Sequence, residues 1–221
     1  MRNLIVSFAI LIVTHSISYG GLLDRSVDFA DLAGLSEEGL QALKDTEFEV
    51  FLANVKFARA KAAEGLAQDS LKAAEDDLDK ERLNLKAAKA EYKAAEANQD
   101  AERMSNVEKT LEKVKEAIKT AELLVKWREK EVSARKTGVK KAKLEVELSE
   151  NKRDLARISR LVTEKVSSAS KYSLADYENK QKKIQEDYQK AVDREKREML
   201  EAEQLKAQYQ KRAGEVQSNP E

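Results

Sequence analysis

Apolar residues recur along most of this chain at alternating steps of three and four, the signature of helices that bury one stripe against a neighbour. Leu71, Ala74, Leu78, Leu85, Ala88, Tyr92 and Ala95 form one such set, missing a step only at Glu81 or Arg82. Val107, Leu111, Val114, Ile118, Ala121 and Val125 form a second, which continues through Val132, Val139, Ala142 and Val146 with Arg128 and Arg135 interrupting. A shifted register then runs through Leu144, Leu148, Asn151, Leu155, Ile158 and Val162, as a coiled-coil stutter would. The third set is Leu174, Tyr177, Gln181, Ile184, Tyr188, Ala191, Glu195, Glu198, Ala202, Leu205 and Tyr209.

The breaks between these sets predict the boundaries. Ser36, followed by Glu37 and Glu38, reads as a helix cap with acids in the first turn, where the helix dipole favours them. Residues 21–35 before it read as a lead-in, ended by Gly34. The serine-rich stretch 167–173 reads as a turn, with Ser173 and Asp176 capping the next helix. Residues 98–105 contain neither Gly nor Pro, and read either as a turn ended by the capping box Ser105-Asn106-Val107-Glu108 or as continuous helix. Helices are thus expected over 36–97, 105–166 and 173–214, with a disordered tail at 216–221. The fold predicted is all-α: a long antiparallel coiled-coil hairpin of two helices of about 60 residues, each roughly 90 Å long, plus a third shorter helix returning along the second. Residues 36–215 form a single elongated domain.

Composition agrees with long helices, since 37% of residues are charged, 5% are aromatic and only one is proline. Charge is unevenly spread: acidic residues exceed basic ones up to residue 107, basic ones exceed acidic ones over 108–165, and the rest balances. An acidic first helix beside a basic second one is the pairing this suggests.

Residues 1–20 read as a signal peptide, with Arg2 ahead of an apolar run from Leu4 to Val13 and small residues at Ser18 and Gly20. Cleavage there would remove His15, the one histidine, from a chain that has no cysteine. Such a mature chain lacks the imidazole and thiol of the usual nucleophilic triads and zinc sites. No enzyme, metal, cofactor or small-molecule substrate is expected. Export, to the periplasm in a Gram-negative bacterium and otherwise to the medium, also removes nucleic acid as a partner.

Four constellations stand out. The carboxylates Glu75, Asp76, Asp77 and Asp79 point in different directions from a helix and read as a solvated face. The basic run Lys126, Arg128, Lys130, Arg135, Lys136, Lys140, Lys141 and Lys143 reads as the partner of the acidic first helix. Its other reading is peripheral contact with anionic lipid or lipopolysaccharide. Trp127 inside that run reads either as an interface anchor or as a half-buried cover over the third helix. Phe48 to Phe57 is apolar around more than one stripe, so Phe48 and Phe51 are covered by a third helix or by a partner.

Around the second turn, Arg157, Leu161 and Ser168, with Ser173-Leu174-Ala175-Asp176-Tyr177 following, resemble the α-helical hairpin tip of periplasmic adaptor (membrane fusion) proteins of tripartite efflux systems. The resemblance covers about residues 157–178, and it implies docking of Arg157 and Leu161 onto an outer-membrane channel. The family flanks its hairpin with β-rich domains for which this chain has no strand-like segments. The leading expectation is therefore an exported, non-enzymatic coiled-coil scaffold or binding protein of the cell envelope, acting on a protein partner or on itself. A periplasmic holdase-type chaperone and an adaptor-like hairpin are the alternatives.

Overall fold

The computed structural model describes residues 26–218, with side chains over 26–215. The expected signal peptide, residues 21–25 of the lead-in and the last residues of the tail lie outside the described residues. A 3-10 turn at Phe29–Gly34 leads into α1 (Glu37–Gln41), α2 (Lys44–Ala97) and α3 (Ala101–Thr163). A second 3-10 turn, Ser167–Lys171, then leads into α4 (Leu174–Ser218). The described residues are all-α. Helices α2 and α3 run antiparallel: Lys56 pairs with Glu145 and, nearer the connecting turn, Tyr92 donates to Glu108. Helix α4 returns along α3, where Thr137 donates to Glu198 and Asn151 Nδ2 donates to the Tyr177 carbonyl at 3.0 Å. Thus α3, whose 63 residues span about 95 Å, is the central helix, and both α2 and α4 pack on it.

A regular seven-residue repeat makes the α2–α3 seam. Val50, Phe57, Glu64, Leu71, Leu78, Leu85 and Tyr92 alternate with Ala53, Ala60, Ala67, Ala74, Glu81, Ala88 and Ala95, and every one is buried or half-buried. Alanine at nearly every second seam position lets the helices approach closely. On α4 the set Tyr177 to Tyr209 identified by periodicity is likewise buried or half-buried throughout, whereas Leu174 at its head is 41% exposed. Two neighbours require two buried faces on α3. Residues 144–149 are all half-buried, so both registers that meet there are covered. A Cβ at Gly138 of α3 would stand 2.6 Å from Glu195 Oε1 of α4, so a side chain there would have to displace that carboxylate.

The boundaries depart from expectation in four places. The first long helix is interrupted at Ala42 and Leu43, separating α1 from α2. The first turn occupies only Asn98–Asp100, and Ser105 lies inside α3. Asp100, not Ser105, caps α3 by accepting from the Arg103 amide at 3.0 Å. Helix α3 ends at Thr163 rather than 166, and the backbone of α4 stays helical to Ser218. Both turns need a left-handed residue, and neither has glycine: Gln99 (φ 54°) and Lys165 (φ 56°) supply it. Around each, the amide three residues past the helix bonds back to a carbonyl of the last turn, Asp100 to Ala95 and Val166 to Leu161. Val166 also packs on the cluster containing Leu161, the apolar contact that accompanies such a cap.

Candidate functional site

At the second turn the lead-in folds back onto the hairpin. Val27, Leu32 and Leu35, with Leu43, form one buried cluster with Ile158 and Leu161. Burying a side chain of this size contributes about 1.5–3 kcal/mol, enough to hold a short segment down. Polar contacts surround the cluster. Ser36 caps α1 by accepting from the Gly39 amide, and its own amide donates to Glu164 at 2.7 Å. A Cβ at Gly39 would meet the Glu164 carboxylate, so a side chain there would have to shift that group from the Ser36 amide. Asp31 accepts from Lys171 and from the Tyr172 hydroxyl, and these two bonds hold its carboxyl below the usual carboxylate range.

The same docking engages Arg157, Leu161 and Ser168. Arg157 is 9% exposed. Its Nη1 donates to the Val27 carbonyl at 2.9 Å and its Nη2 donates to Glu47, with Asp154 Oδ1 at 3.6 Å. Burial pushes the Asp154 carboxyl up, against the pull of Arg153 and Arg157. Leu161 is fully buried, and the Ser168 hydroxyl donates to the Asp31 carbonyl. All three are engaged by the chain's own lead-in. The docking of the lead-in onto the hairpin was missed because its apolar residues follow no helical period. Their only sequence signal is three large aliphatics within nine positions.

The basic run is also used differently from expectation. Lys130 pairs with Glu201, and Lys141 with Glu195, both on α4 rather than on the acidic α2. Arg128 and Lys143 pair within α3, with Glu131 and Glu147. Trp127 is half-buried, 5.8 Å from Tyr209 of α4 between ring centroids, with the Arg128 guanidinium 4.0 Å from its ring centre. Of its two readings, the cover over the third helix is the one the geometry realises.

Phe48 and Phe51 are covered by nothing among the described residues, being 58% and 60% exposed with ring centroids 6.2 Å apart. Helix α4 reaches their level but lies on α3, while they point away from α3. Leu52 (42%) and Leu66 (69%), the latter overlooked in the sequence, extend this exposed apolar face along α2. The signal for Leu66 is its position two seven-residue repeats after Leu52.

Two open clefts accompany these surfaces. One of about 330 Å³ lies between the lead-in and Val166 to Lys171, and one of about 390 Å³ lies where Glu81, Ala121 and Tyr209 bring α2, α3 and α4 together. No described helix is long and apolar enough to cross a membrane. No protein-family model, curated protein or solved structure matches the chain.

Proposed function

We propose that this protein is an exported, non-enzymatic scaffold or binding protein of the cell envelope, and that it recognises its partner through the outer face of α2. Export rests on the pattern of residues 1–20. The observation that carries the binding surface is the run Phe48, Phe51, Leu52 and Leu66, each more than two-fifths exposed on a helix already satisfied on its other side by α3. Adjoining exposed apolar side chains, as Phe48, Phe51 and Leu52 are, mark a surface that something covers, and aromatic residues anchor such contacts. The tip is a poorer candidate, because Arg157 and Leu161 already serve the lead-in.

The test is a photo-cross-linking residue placed at position 62, beside this face, and in a second strain at position 200, exposed on α4. Expression in the native organism should give defined adducts from position 62 and few from position 200. Equal labelling from both positions, or none from 62, would remove the outer face of α2 as the binding surface.

A further inference from the structure

The two seams of α3 are lined differently. On α2 the buried residues are Leu78 and five alanines, Ala53, Ala67, Ala74, Ala88 and Ala95. On α4 the buried apolar residues, among those described, are only Ile184, Ala191 and Ala202. Polar groups fill steps between them. Glu195 and Glu198 occupy seam positions, where they accept from the Lys141 ammonium and the Thr137 hydroxyl, each at 2.5 Å. Asn151, 3% exposed, donates to the Tyr177 carbonyl, while its Oδ1 meets no donor among the described residues. Water can replace each of these polar contacts, so parting α4 from α3 costs less than parting a seam of apolar side chains.

The turn that joins α3 to α4 is held from outside. Among the described residues, every side-chain hydrogen bond that residues 166–172 make beyond the turn is with the lead-in. The Ser168 hydroxyl donates to the Asp31 carbonyl at 2.9 Å, Lys171 and Tyr172 donate to the Asp31 carboxylate, and the Tyr172 hydroxyl accepts from the Asp28 amide. Gly34 is pressed so closely on the turn that a Cβ there would stand 2.7 Å from Val166 Cγ1. Ala169, Tyr172 and, in the first turn of α4, Tyr177 pack on the cluster that holds Val27, Leu32 and Leu35. Lys165, at φ 56°, holds a conformation disfavoured for a residue with a Cβ, so the closed turn carries backbone strain.

We propose that α4 is a hinged arm and that the lead-in is the clamp that keeps it closed. Once residues 26–35 leave, the arm swings about residues 164–173 while α2 and α3 stay paired. The clamp's apolar anchors, Val27, Leu32 and Leu35, lie on one short segment that can leave as a unit. The swing bares the face of α3 that carries Trp127 and Gly138, and leaves the α2 seam intact. Hinges of this kind sit at element ends and absorb the change in a few residues.

The chain has no cysteine, so introduced thiols can carry spin labels at chosen pairs in the full chain. Glu129→Cys with Gln204→Cys reports α3 against α4, and Lys89→Cys with Glu112→Cys reports α2 against α3; all four positions are exposed. Position 204 lies about 45 Å along α4 from the hinge, so a swing lengthens the 129–204 distance well beyond its closed value. Asp31→Ala should add a long-distance population to the 129–204 pair, and Asp31→Ala combined with Leu32→Asp should make that population larger. The 89–112 distance should stay unchanged in both. Val107→Ala, which weakens the α2–α3 seam instead, should leave the 129–204 distance single and short. An unchanged 129–204 distance in both lead-in variants would overturn the proposal. So would joint lengthening of both pairs, or an α4 that opens as readily in Val107→Ala, since either would make the lead-in one more contributor to a single cooperative fold.

Discussion

Arg157 donates to the main-chain carbonyl of Val27, a residue 130 positions earlier, at 2.9 Å and in a buried setting. The same guanidinium serves Glu47 and lies beside Asp154, so one side chain ties the lead-in, α2 and α3 together. Removing one member of a buried ion pair leaves the others desolvated without compensation. Arg157→Ala should therefore cost about 2–4 kcal/mol in urea unfolding, towards the lower end of the range for buried pairs because Glu47 is 44% exposed. Glu47→Gln, which keeps a hydrogen-bond acceptor at a half-exposed position, should cost about 1 kcal/mol or less. Equal costs for the two would mean that Arg157 acts mainly through Glu47 and not through Val27 and Asp154.

Acid should loosen the lead-in. Lys171 first, and Tyr172 second, hold the Asp31 carboxyl below its ordinary value, so the folded form has the lower proton affinity. The contribution of these bonds is present above the unfolded carboxylate value of about 3.9 and is lost as pH falls through the folded value. The Tyr172 ring resonances should move toward their unfolded positions below about pH 3.9, and Asp31→Asn should lack this step. A Tyr172 transition near neutral pH would contradict the assignment.

Salt sensitivity should follow the observed ion pairs rather than the net charge of whole helices. Lys130→Glu with Lys141→Glu places like charges against Glu201 and Glu195 of α4 and should lower the melting temperature more at low salt. Exposed pairs are worth about 0.2–1 kcal/mol each, so a shift of a few degrees is expected. Lys113→Glu with Lys115→Glu should change little, since both side chains face solvent.

Gly138 offers a test of the α3–α4 contact with a built-in reporter. Gly138→Leu must displace Glu195 and push α4 outward, at about 1–3 kcal/mol for overpacking. Trp127 is the one tryptophan and packs on Tyr209 of α4. Its emission should shift to the red in this variant and stay unchanged in Arg157→Ala at low denaturant.

Lys165→Gly should stabilise the second turn. A side chain in the left-handed region costs about 1–2 kcal/mol, partly offset by the greater freedom glycine gives the unfolded chain, about 0.4–1 kcal/mol. A net gain of about 0.5–1 kcal/mol in denaturant midpoint is the expectation. A loss would show that the Lys165 side chain makes a contact that outweighs its backbone strain.

Periodicity made the seams legible because a seam is a local, repeated property. Ile184, Ala191 and Ala202 could be placed in the core of α4 from spacing alone, and they are buried there. The first turn was less legible because Gln99 takes a conformation usually marked by glycine, and because Asp100 ends one helix while capping the next. The pairing of the basic run was misjudged for a geometric reason. Net charge per helix ignores which face a residue occupies, and Lys130 and Lys141 face α4. The candidate tip was the least legible part. What covers Leu161 is Val27, Leu32 and Leu35, and no rule of spacing connects residues so far apart.

That distance orders the assembly in time. Helices α2, α3 and α4 meet across short turns, so each pairing closes a small loop and can zip from its turn outward. Contact between Val27 and Arg157 must instead close a loop of more than a hundred residues, at an entropic cost that contacts across short turns do not bear. On a ribosome, residues 27–35 have no docking place until Tyr172 has been synthesised. The lead-in therefore latches last in folding and releases first in unfolding, and pulse-labelled hydrogen exchange should find the Leu35 amide protected after those of α2 and α3.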